Sequence, residues 1–399
     1  MLLAGDFMKP IKISVTQLRQ GMWLVEPTTS WINAPFVYGK SGVIKSAEQI
    51  KHIIASGYTE AYYDPDRSVP VQSGTCHCAP EHSGARQTPL AEELCRARDL
   101  YFDACNYIKN LMQEKKVGAI EVAELRAFVN EIIQSLHRNF NALLLITTIK
   151  KTSDYTYRHS INVAIFSIAF AQFLGLDDDE TFDTGMAGLF HDYGKAFVPL
   201  EILNAPRSLS PDETSVIRSH VRLGHDNLRD IPWINSIILD GILHHHERHD
   251  GSGYPHQLSG EAISLHGGII SICDVYDALT SSRVYKNAIP PAQAVKKLFT
   301  MSGQAWAPGL VEHFIKLVGI FPVGTVVQLS NETTGIVCQQ DHKSPLKPTV
   351  LVILKKDRPY APYYLKLAQN DQVSINRVLV PSELASIKNS KFYRMFLDR

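Results

Sequence analysis

"ILHHHERHDGSGYPHQLSG", residues 242–260, carries four histidines within six positions and then a turn rich in glycine. Glycine permits positive φ angles and proline fixes the turn, so the second half of this stretch is predicted to be neither regular helix nor strand. Ten of the sixteen histidines of the chain lie between His159 and His266, in about a quarter of its length. Because imidazole is a common metal ligand, this concentration indicates a candidate metal site.

Other segments contribute further candidate ligands. His159 lies in the amphipathic pattern YTYRHSINVAIFSIAF, and HDYGK places His191 beside Asp192 near a predicted helix end, where a glycine lets the helix bend away. Imidazole and carboxylate together suit a divalent metal such as iron, manganese, nickel or zinc. The candidate ligands in chain order are His159, His191, Asp192, His220, His245, His246 and Asp274. Seven such side chains exceed the needs of one ion, so the pattern predicts two ions, with Asp192 as a candidate bridge.

The ordered series carries more weight than any one of its members. A single histidine on an apolar helix face is usually a hydrogen-bonded core residue, and an isolated His-Asp pair says little. Other histidines of the region are expected at the surface or behind the ligands; they are His225, His249, His256 and His266. Chance would rarely assemble one histidine, a His-Asp pair, a histidine, a His-His pair and an aspartate, each on its own helical segment.

Composition excludes several classes of protein. Lysine and arginine together number 40, as do aspartate and glutamate, so no basic excess indicates DNA as a partner. The longest apolar stretch, residues 161–176, is interrupted by polar side chains and predicts a buried core helix rather than a membrane span. The apolar run at the N-terminus is too short for a secretory signal, so a cytoplasmic location is expected. Cys76 and Cys78 are too close together for a CxxC metal clamp.

The patterning divides the chain into five predicted segments. Those segments are a small α+β domain, with a regulatory role as one option (1–64), a linker rich in Pro, Ser, Gly and His (65–89), a helical connector (90–150), a mostly helical region (151–320) and a small β-rich module (321–399). The connector helices could transmit a signal, form a homodimer interface or simply cover the helical region. The predicted fold class is therefore mainly α.

Residues 150–320 resemble an HD-GYP domain, the bacterial branch of the HD phosphohydrolases that opens cyclic dinucleotides. The resemblance is carried by HDYGK at 191–195, HHERHDGSGYP at 245–255 and DVYDALTSSRVYK at 274–286, and by the spacings between them. Residues 11–64 are similar to the small domain of unknown function that often precedes HD-GYP. The resemblance implies an HD-type helical bundle as the catalytic domain, flanked by the two smaller modules.

The resemblance also implies a division of the ligands between two ions. The first ion would take His159, His191, Asp192 and Asp274, and the second would take Asp192 as the bridge with His220, His245 and His246. His244 is then the extra histidine of its run. Iron or manganese is the expected metal, with nickel or others as alternatives. Two such ions can activate water and clamp the phosphate in an in-line displacement.

Further residues take roles from the resemblance. Lys195 would stabilise charge on the phosphate as a catalytic residue beside Asp192, with an ordinary surface lysine as the alternative. Arg283 and Lys286 would present cations to the substrate phosphates, and Asp277 would orient one of these groups or the water. Tyr254 belongs to the signature loop, which is a wall of the substrate cleft, a docking surface for signalling proteins or only a structural turn.

Some positions depart from the family pattern. Members that bind a third ion use a glutamate four residues before the first histidine, where this chain has Tyr155, a poor ligand at neutral pH. Two ions are therefore expected. RVYK replaces the usual RPYK and keeps both cations, while WAP at 306–308 lacks the aspartate of the common FDP.

Three functions compete on the sequence alone. The first is a metal-dependent phosphodiesterase that linearises a 3',5'-linked cyclic dinucleotide, either cyclic di-GMP or 3'3'-cyclic GMP-AMP. The second is a cyclic dinucleotide receptor or protein-docking module with little turnover. This function predicts that some of the candidate metal ligands are missing, whereas all of them are present in this sequence. The third is an HD hydrolase of another nucleotide, against which the GYP loop and RVYK argue. Assaying the metal-loaded protein against a nucleotide panel separates them.

Overall fold

The computed structural model of the chain describes residues 11–20, 22–25, 42–44, 50, 60–64, 88–114, 122–148, 155–281, 288–341, 344–356, 358–380 and 383. The chain forms two compact units, residues 1–81 and 82–399. The finer five-segment division remains a prediction.

The first unit contains a four-stranded antiparallel sheet in the order β1-β4-β2-β3. Its strands are β1 (Ile11–Ser14), β2 (Trp23–Val25), β3 (Gly42–Val43) and β4 (Glu60–Asp64). Val15, Leu18, Leu24, Ile44 and Ala61 form its core. Most of the helix expected in this α+β module lies outside the described residues.

The second unit begins with three connector helices. They are α1 (Leu90–Glu114), α2 (Val122–Arg138) and α3 (Phe140–Thr147). The buried side chains of α1 recur at helical spacing and so occupy one face; they are Glu93, Ala97, Tyr101, Ala104, Cys105, Ile108, Leu111 and Met112. The buried carboxylate of Glu93 accepts hydrogen bonds from Ser135 Oγ (2.7 Å) and Arg138 Nε (2.8 Å), which tie α1 to α2.

A helical bundle follows the connector. Its helices are α4 (Tyr155–Leu174), α5 (Asp178–Phe190), α6 (Leu200–Leu203), α7 (Pro211–Arg218), α8 (His220–Leu228), α9 (Ser236–His244), α10 (Leu265–Thr280), α11 (Pro291–Thr300) and α12 (Leu310–Val318). The four central helices are α4, α5, α9 and α10, since α4 packs against α5 and α10 while α9 packs against the same two helices. α4 is buried on nearly every side from His159 to Ala171, as expected for a core helix.

Capping residues set where these helices begin. The side chain of Asp177 accepts a hydrogen bond from Glu180 N at the start of α5, and Ser210 does the same for Glu213 N at the start of α7. Ser264 caps α10 by accepting from Gly267 N. Side-chain caps therefore define the starts of α5, α7 and α10.

A five-stranded antiparallel sheet in the order β8-β7-β6-β5-β9 follows the helical bundle. Its strands are β5 (Val326–Leu329), β6 (Thr333–Gln339), β7 (Thr349–Lys355), β8 (Arg358–Lys366) and β9 (Ile375–Val378). Its core is formed by six buried residues, Val327, Leu329, Val337, Val350, Val352 and Leu367. The predicted mainly α fold with flanking β-containing modules is confirmed. No helix among the described residues is long and apolar enough to span a membrane.

Candidate metal centre

The His191-Asp192 pair lies where α5 ends. Its last helical residue is Phe190, His191 is the C-cap, and a 3₁₀ turn over Tyr193–Phe197 follows Asp192. Gly194 in that turn lies against α8, where a Cβ atom would come within 1.9 Å of His220 O. The sequence predicted that this glycine lets the helix bend away. The structure gives it a second role, because only a residue without a side chain allows the close approach that brings Asp192 to His220.

Three of the candidate histidines are oriented in the same way. His191 Nδ1 donates to Gly188 O (2.7 Å), His220 Nδ1 to Ile217 O (2.7 Å) and His245 Nδ1 to Ile242 O (2.9 Å). A carbonyl can only accept, so each ring carries its proton on Nδ1 and has a free electron pair on Nε2. Fixing the tautomer through the other ring nitrogen is how proteins prepare histidine for a metal.

Asp192 lies between two groups of histidines. Its Oδ1 is 3.3 Å from His220 Nε2, and its Oδ2 is 3.3 Å from His191 Nε2 and 3.7 Å from His159 Nε2. His159 Nε2 is also 3.1 Å from Asp274 Oδ1. Each oxygen of Asp192 thus faces a different part of the centre.

Two clusters of candidate ligand atoms share Asp192. One contains Asp192, His220, His245 and His246, and the other contains His159, His191 and Asp192. Within each cluster the ligand atoms lie within 4.8 Å of one another. Asp274 adjoins the second cluster through His159. The structure thus brings all seven candidate ligands together.

Several atoms at this centre are buried without a hydrogen-bond partner in the described part of the chain. They are Nε2 of His191, His220 and His245 and Oδ1 of Asp192. A buried polar atom without a partner is costly, and native proteins almost always satisfy it. A divalent cation accepts these electron pairs, so the residues present fit a metal.

The charge states of the ligands agree with this. Burial by itself would raise the pKa of Asp192, but Lys195 and His191 outweigh it and hold the pKa well below the usual range. Burial also opposes ionisation of Asp274, yet His159 lowers its pKa too. Burial lowers the pKa of His246 to about 3 and that of His245 well below its usual value. The centre therefore offers two carboxylates and, in His245 and His246, two neutral imidazoles.

Lys195 and Asp277 contact different candidate ligands of the centre. Lys195 Nζ donates to Asp192 Oδ2 at 2.5 Å, and its side chain is a quarter exposed. Asp277 is buried, and its Oδ2 accepts from His159 Nδ1 (2.8 Å) while its Oδ1 accepts from Asn162 Nδ2 (2.8 Å). Both oxygens of Asp277 are thus hydrogen-bonded within the protein, and Oδ2 holds His159. The expected role of Asp277 in binding substrate or orienting the water remains a prediction.

The signature loop packs on the ligand segment. The ring of Tyr254 stacks on His246 at 4.7 Å between centroids, and the guanidinium of exposed Arg218 lies 5.0 Å from the Tyr254 centroid. Gly253 approaches the backbone so closely that a Cβ atom would come within 2.4 Å of Glu247 Cα. The loop is therefore both a tight structural turn and a neighbour of a candidate ligand.

Sequence reasoning missed Glu247 and Arg218. Glu247 is buried, and its carboxylate accepts from His256 N (2.7 Å) and Leu258 N (3.0 Å), which anchors the loop. The position of Glu247, directly after two candidate histidine ligands and before a glycine-rich turn, could have indicated this role. No pattern singled out Arg218.

The remaining predicted residues lie apart from the ligand clusters or outside the described residues. His244 Nδ1 donates to Asp240 Oδ1 (2.8 Å), and its Nε2 is 3.1 Å from His256 Nδ1. Arg283 and Lys286 fall in the gap 282–287 and are outside the described residues, as are Cys76 and Cys78. Tyr155 is the first residue of α4, and its side chain is not among those described.

Comparison with known proteins gives two matching families. The family described as "HD domain" matches residues 144–308, and a "domain of unknown function (DUF3391)" matches residues 10–124. The chain is 35% identical over 350 residues to a cyclic di-GMP phosphodiesterase of Pseudomonas aeruginosa, covering 86% of this chain and 84% of the relative.

Two further proteins are similar over smaller or more divergent regions. A 3'3'-cGAMP-specific phosphodiesterase of Vibrio cholerae is 36% identical over 148 residues, which cover 37% of this chain and 34% of that protein. The solved structure of an HDG"Y"P protein from Bdellovibrio bacteriovorus matches with a TM-score of 0.48 at 18% identity, covering 77% of this chain and 98% of that one.

Proposed function

The chain belongs to the HD-GYP family of HD-domain proteins with an N-terminal DUF3391 domain. We propose that it is a cyclic dinucleotide phosphodiesterase. The reaction is metal-dependent hydrolysis of a 3',5'-linked cyclic dinucleotide to a linear dinucleotide. The observation that carries the proposal is the pair of buried ligand clusters that share Asp192. A shared carboxylate between two sets of imidazoles is the arrangement that a two-metal hydrolase needs.

The centre would hold two divalent ions. One would be held by His159, His191, Asp192 and Asp274, and the other by Asp192, His220, His245 and His246. These nitrogen and carboxylate donors suit iron or manganese, and nickel or other divalent metals fit the same donors. Two ions bound there would supply Lewis acidity and a nucleophile from water at neutral pH. Metal analysis of the reconstituted protein should give a ratio of two per chain; a ratio of one or three would contradict this assignment.

The residues around the ligands would bind and orient the substrate. Lys195 holds Asp192 in place and presents a partly exposed cation next to the reacting phosphate. The Tyr254 ring, which contacts His246 and Arg218, would form a wall for a nucleobase or sugar. Arg283 and Lys286 would bind the phosphate that is not being cut.

Cyclic di-GMP is the proposed first substrate, with 3'3'-cyclic GMP-AMP as the second. The relative that matches most of this chain is named a cyclic di-GMP phosphodiesterase. The relative named for 3'3'-cGAMP matches about a third of its own length. Base selectivity depends on pocket side chains, so both nucleotides belong in the assay.

The test is hydrolysis by the purified full chain after loading with Mn²⁺ or, anaerobically, Fe²⁺. The panel contains cyclic di-GMP, 3'3'-cyclic GMP-AMP, a deoxynucleoside triphosphate and a guanosine alarmone, with linear products resolved by chromatography. Asp192→Ala is the matched control, because it removes the proposed bridge and should abolish both turnover and stoichiometric metal binding. Turnover of the alarmone alone, or full activity of the Asp192→Ala variant, would overturn the proposal.

The competing proposal is a receptor or docking module with little turnover. It would be favoured by tight binding of a cyclic dinucleotide without any linear product in the same assay. The intact ligand set supports the enzyme, since a receptor has no need for two preserved metal sites. A homodimer through the connector helices and docking of signalling proteins on the loop containing Tyr254 remain predictions, tested by light scattering of the full chain and by pull-down with loop variants.

A further inference from the structure

Tyr101 is a residue of the connector helix α1 that lies outside every ligand motif. Its side chain is buried, and its hydroxyl donates a 2.9 Å hydrogen bond to Asn162 Oδ1 on α4. Tyr101 falls in the segment that matches DUF3391, whereas Asn162 falls in the segment that matches the HD domain. The contact therefore joins the two matched segments within the second compact unit.

The hydrogen bonds continue from Asn162 to a candidate ligand. Asn162 Nδ2 donates to Asp277 Oδ1 at 2.8 Å, and Asp277 Oδ2 accepts from His159 Nδ1 at 2.8 Å. All four side chains are buried. Three hydrogen bonds thus lead from Tyr101 to the imidazole whose Nε2 points at Asp274.

We call the three hydrogen bonds from Tyr101 through Asn162 and Asp277 to His159 the relay. The chemistry of each group fixes which partner donates in each of these bonds. The Asp277 carboxylate can only accept, so Asn162 must present its NH₂ group to it and is left with Oδ1 on the other side. That buried oxygen needs a donor, which the Tyr101 hydroxyl supplies. The Tyr101 hydroxyl thus fixes the orientation of the Asn162 amide, and the amide holds the Asp277 carboxylate. Asp277 in turn fixes the tautomer of His159.

We propose that Tyr101 is a positioning residue for His159, acting through Asn162 and Asp277. The inference rests on the proposed metal centre, of which His159 is a ligand. It gives the connector helix a role in metal binding beyond covering the bundle. Phenylalanine at this position keeps the aromatic ring and lacks only the hydroxyl, so the hydroxyl is the group to test.

Tyr101→Phe keeps the ring and removes only the hydroxyl, and Tyr107→Phe is its matched control. Tyr107 lies on the same helix but packs against Phe128 (4.9 Å between centroids) and pairs with Glu124, away from the relay. Each metal-free, full-length variant is titrated with Mn²⁺ by calorimetry. We expect Tyr101→Phe to weaken one of two binding steps about tenfold, the lower end of the effect of outer-shell changes. Tyr107→Phe should bind as the unmodified protein does.

Asn162→Ala provides a second, independent test in the same titration experiment. It should weaken Mn²⁺ binding by itself, and Tyr101→Phe should add nothing further in the Asn162→Ala background, because residues of one network are not additive. Unchanged Mn²⁺ binding by Asn162→Ala overturns the relay even if Tyr101→Phe does not fold. A penalty for Tyr101→Phe that persists undiminished in the Asn162→Ala background also overturns it, since Tyr101 would then act by packing alone.

The readout separates this inference from the proposed function. Mn²⁺ affinity is measured without nucleotide, so an unmodified protein that binds Mn²⁺ but hydrolyses no cyclic dinucleotide contradicts only the proposed function. An active unmodified enzyme whose Mn²⁺ affinity is insensitive to Tyr101→Phe contradicts only the relay.

Discussion

Three consecutive histidines differ in role because the helix ends between them. His244 is the last residue of α9 and pairs with Asp240, whereas His245 and His246 follow the helix and join the ligand cluster. We therefore expect His244→Ala to keep most of its metal affinity and activity. His245→Ala and His246→Ala should each lose more than about 100-fold in metal affinity, since outer-shell changes already cost about 10–100-fold. Equal losses for all three variants, measured by Mn²⁺ titration, would show that the wrong pair has been assigned.

The protonation of His159 predicts how metal binding depends on pH. Burial by itself would lower the pKa of His159, but hydrogen bonds to Asp274 and Asp277 outweigh it and raise the pKa to about 9. In the metal-free protein at pH 7 the ring therefore carries a proton that a metal must displace. Acid favours the protonated ring, so affinity falls as pH falls below about 9 and levels off above it.

The expected slope is about tenfold in Mn²⁺ affinity per pH unit between pH 7 and 9 for the step that uses His159, as one displaced proton requires. Calorimetry in two buffers with different ionisation enthalpies counts the protons released. An affinity that is flat over this range would mean that His159 is already neutral before the metal arrives.

At the scale of single elements, the signature loop is held by one carboxylate. Glu247 accepts two backbone N–H groups of the loop, from His256 and Leu258. Glu247→Gln places an NH₂ donor against one of these N–H groups, which should cost about 1–3 kcal/mol of folding free energy. Thermal unfolding of the metal-free variant measures this.

The exposed Glu261 provides the control for that variant, since Glu261→Gln should leave unfolding unchanged. Glu247→Gln should still bind metal, because its carboxylate is outside both ligand clusters. Loss of metal with unchanged stability would instead make Glu247 part of the centre.

The side chains that gather at the candidate metal centre were predictable from the sequence, whereas the residues that hold them in place were not. Each candidate ligand is a histidine or aspartate in or next to a helix. The motifs HDYGK, HHE and DVYDAL contain five of the seven candidates, and the amphipathic patterns around His159 and His220 supply the other two. The supports depend on contacts between distant positions: Tyr101 lies 61 residues from Asn162, and His159 lies 118 residues from Asp277. The hydrogen bonds of Asp277 to His159 and Asn162 could not be predicted from the sequence, because they join positions that are distant along the chain. Gly194 was noted for flexibility, although its close approach to His220 decides its identity.

At the scale of the whole molecule, the matched families and the compact units divide the chain at different places. DUF3391 matches up to residue 124, which includes α1, whereas the structure assigns α1 to the second unit, residues 82–399. The buried face of α1 packs against α2, α3 and α4. The first unit can therefore be removed without cutting the core of the second, but only if α1 is kept.

We expect the fragment 82–399 to fold and bind Mn²⁺, and the fragment 125–399 to fail at both. α1 buries four large side chains, Tyr101, Ile108, Leu111 and Met112. Each such burial contributes about 1.5–3 kcal/mol, so their loss is comparable with the entire stability of a domain, about 5–15 kcal/mol. Circular dichroism and Mn²⁺ titration of the two purified fragments would measure the difference. If 125–399 folds and binds Mn²⁺ as tightly as 82–399, then α1 is a detachable cover, and the hydrogen bonds that run from Tyr101 to His159 have no bearing on the metal centre.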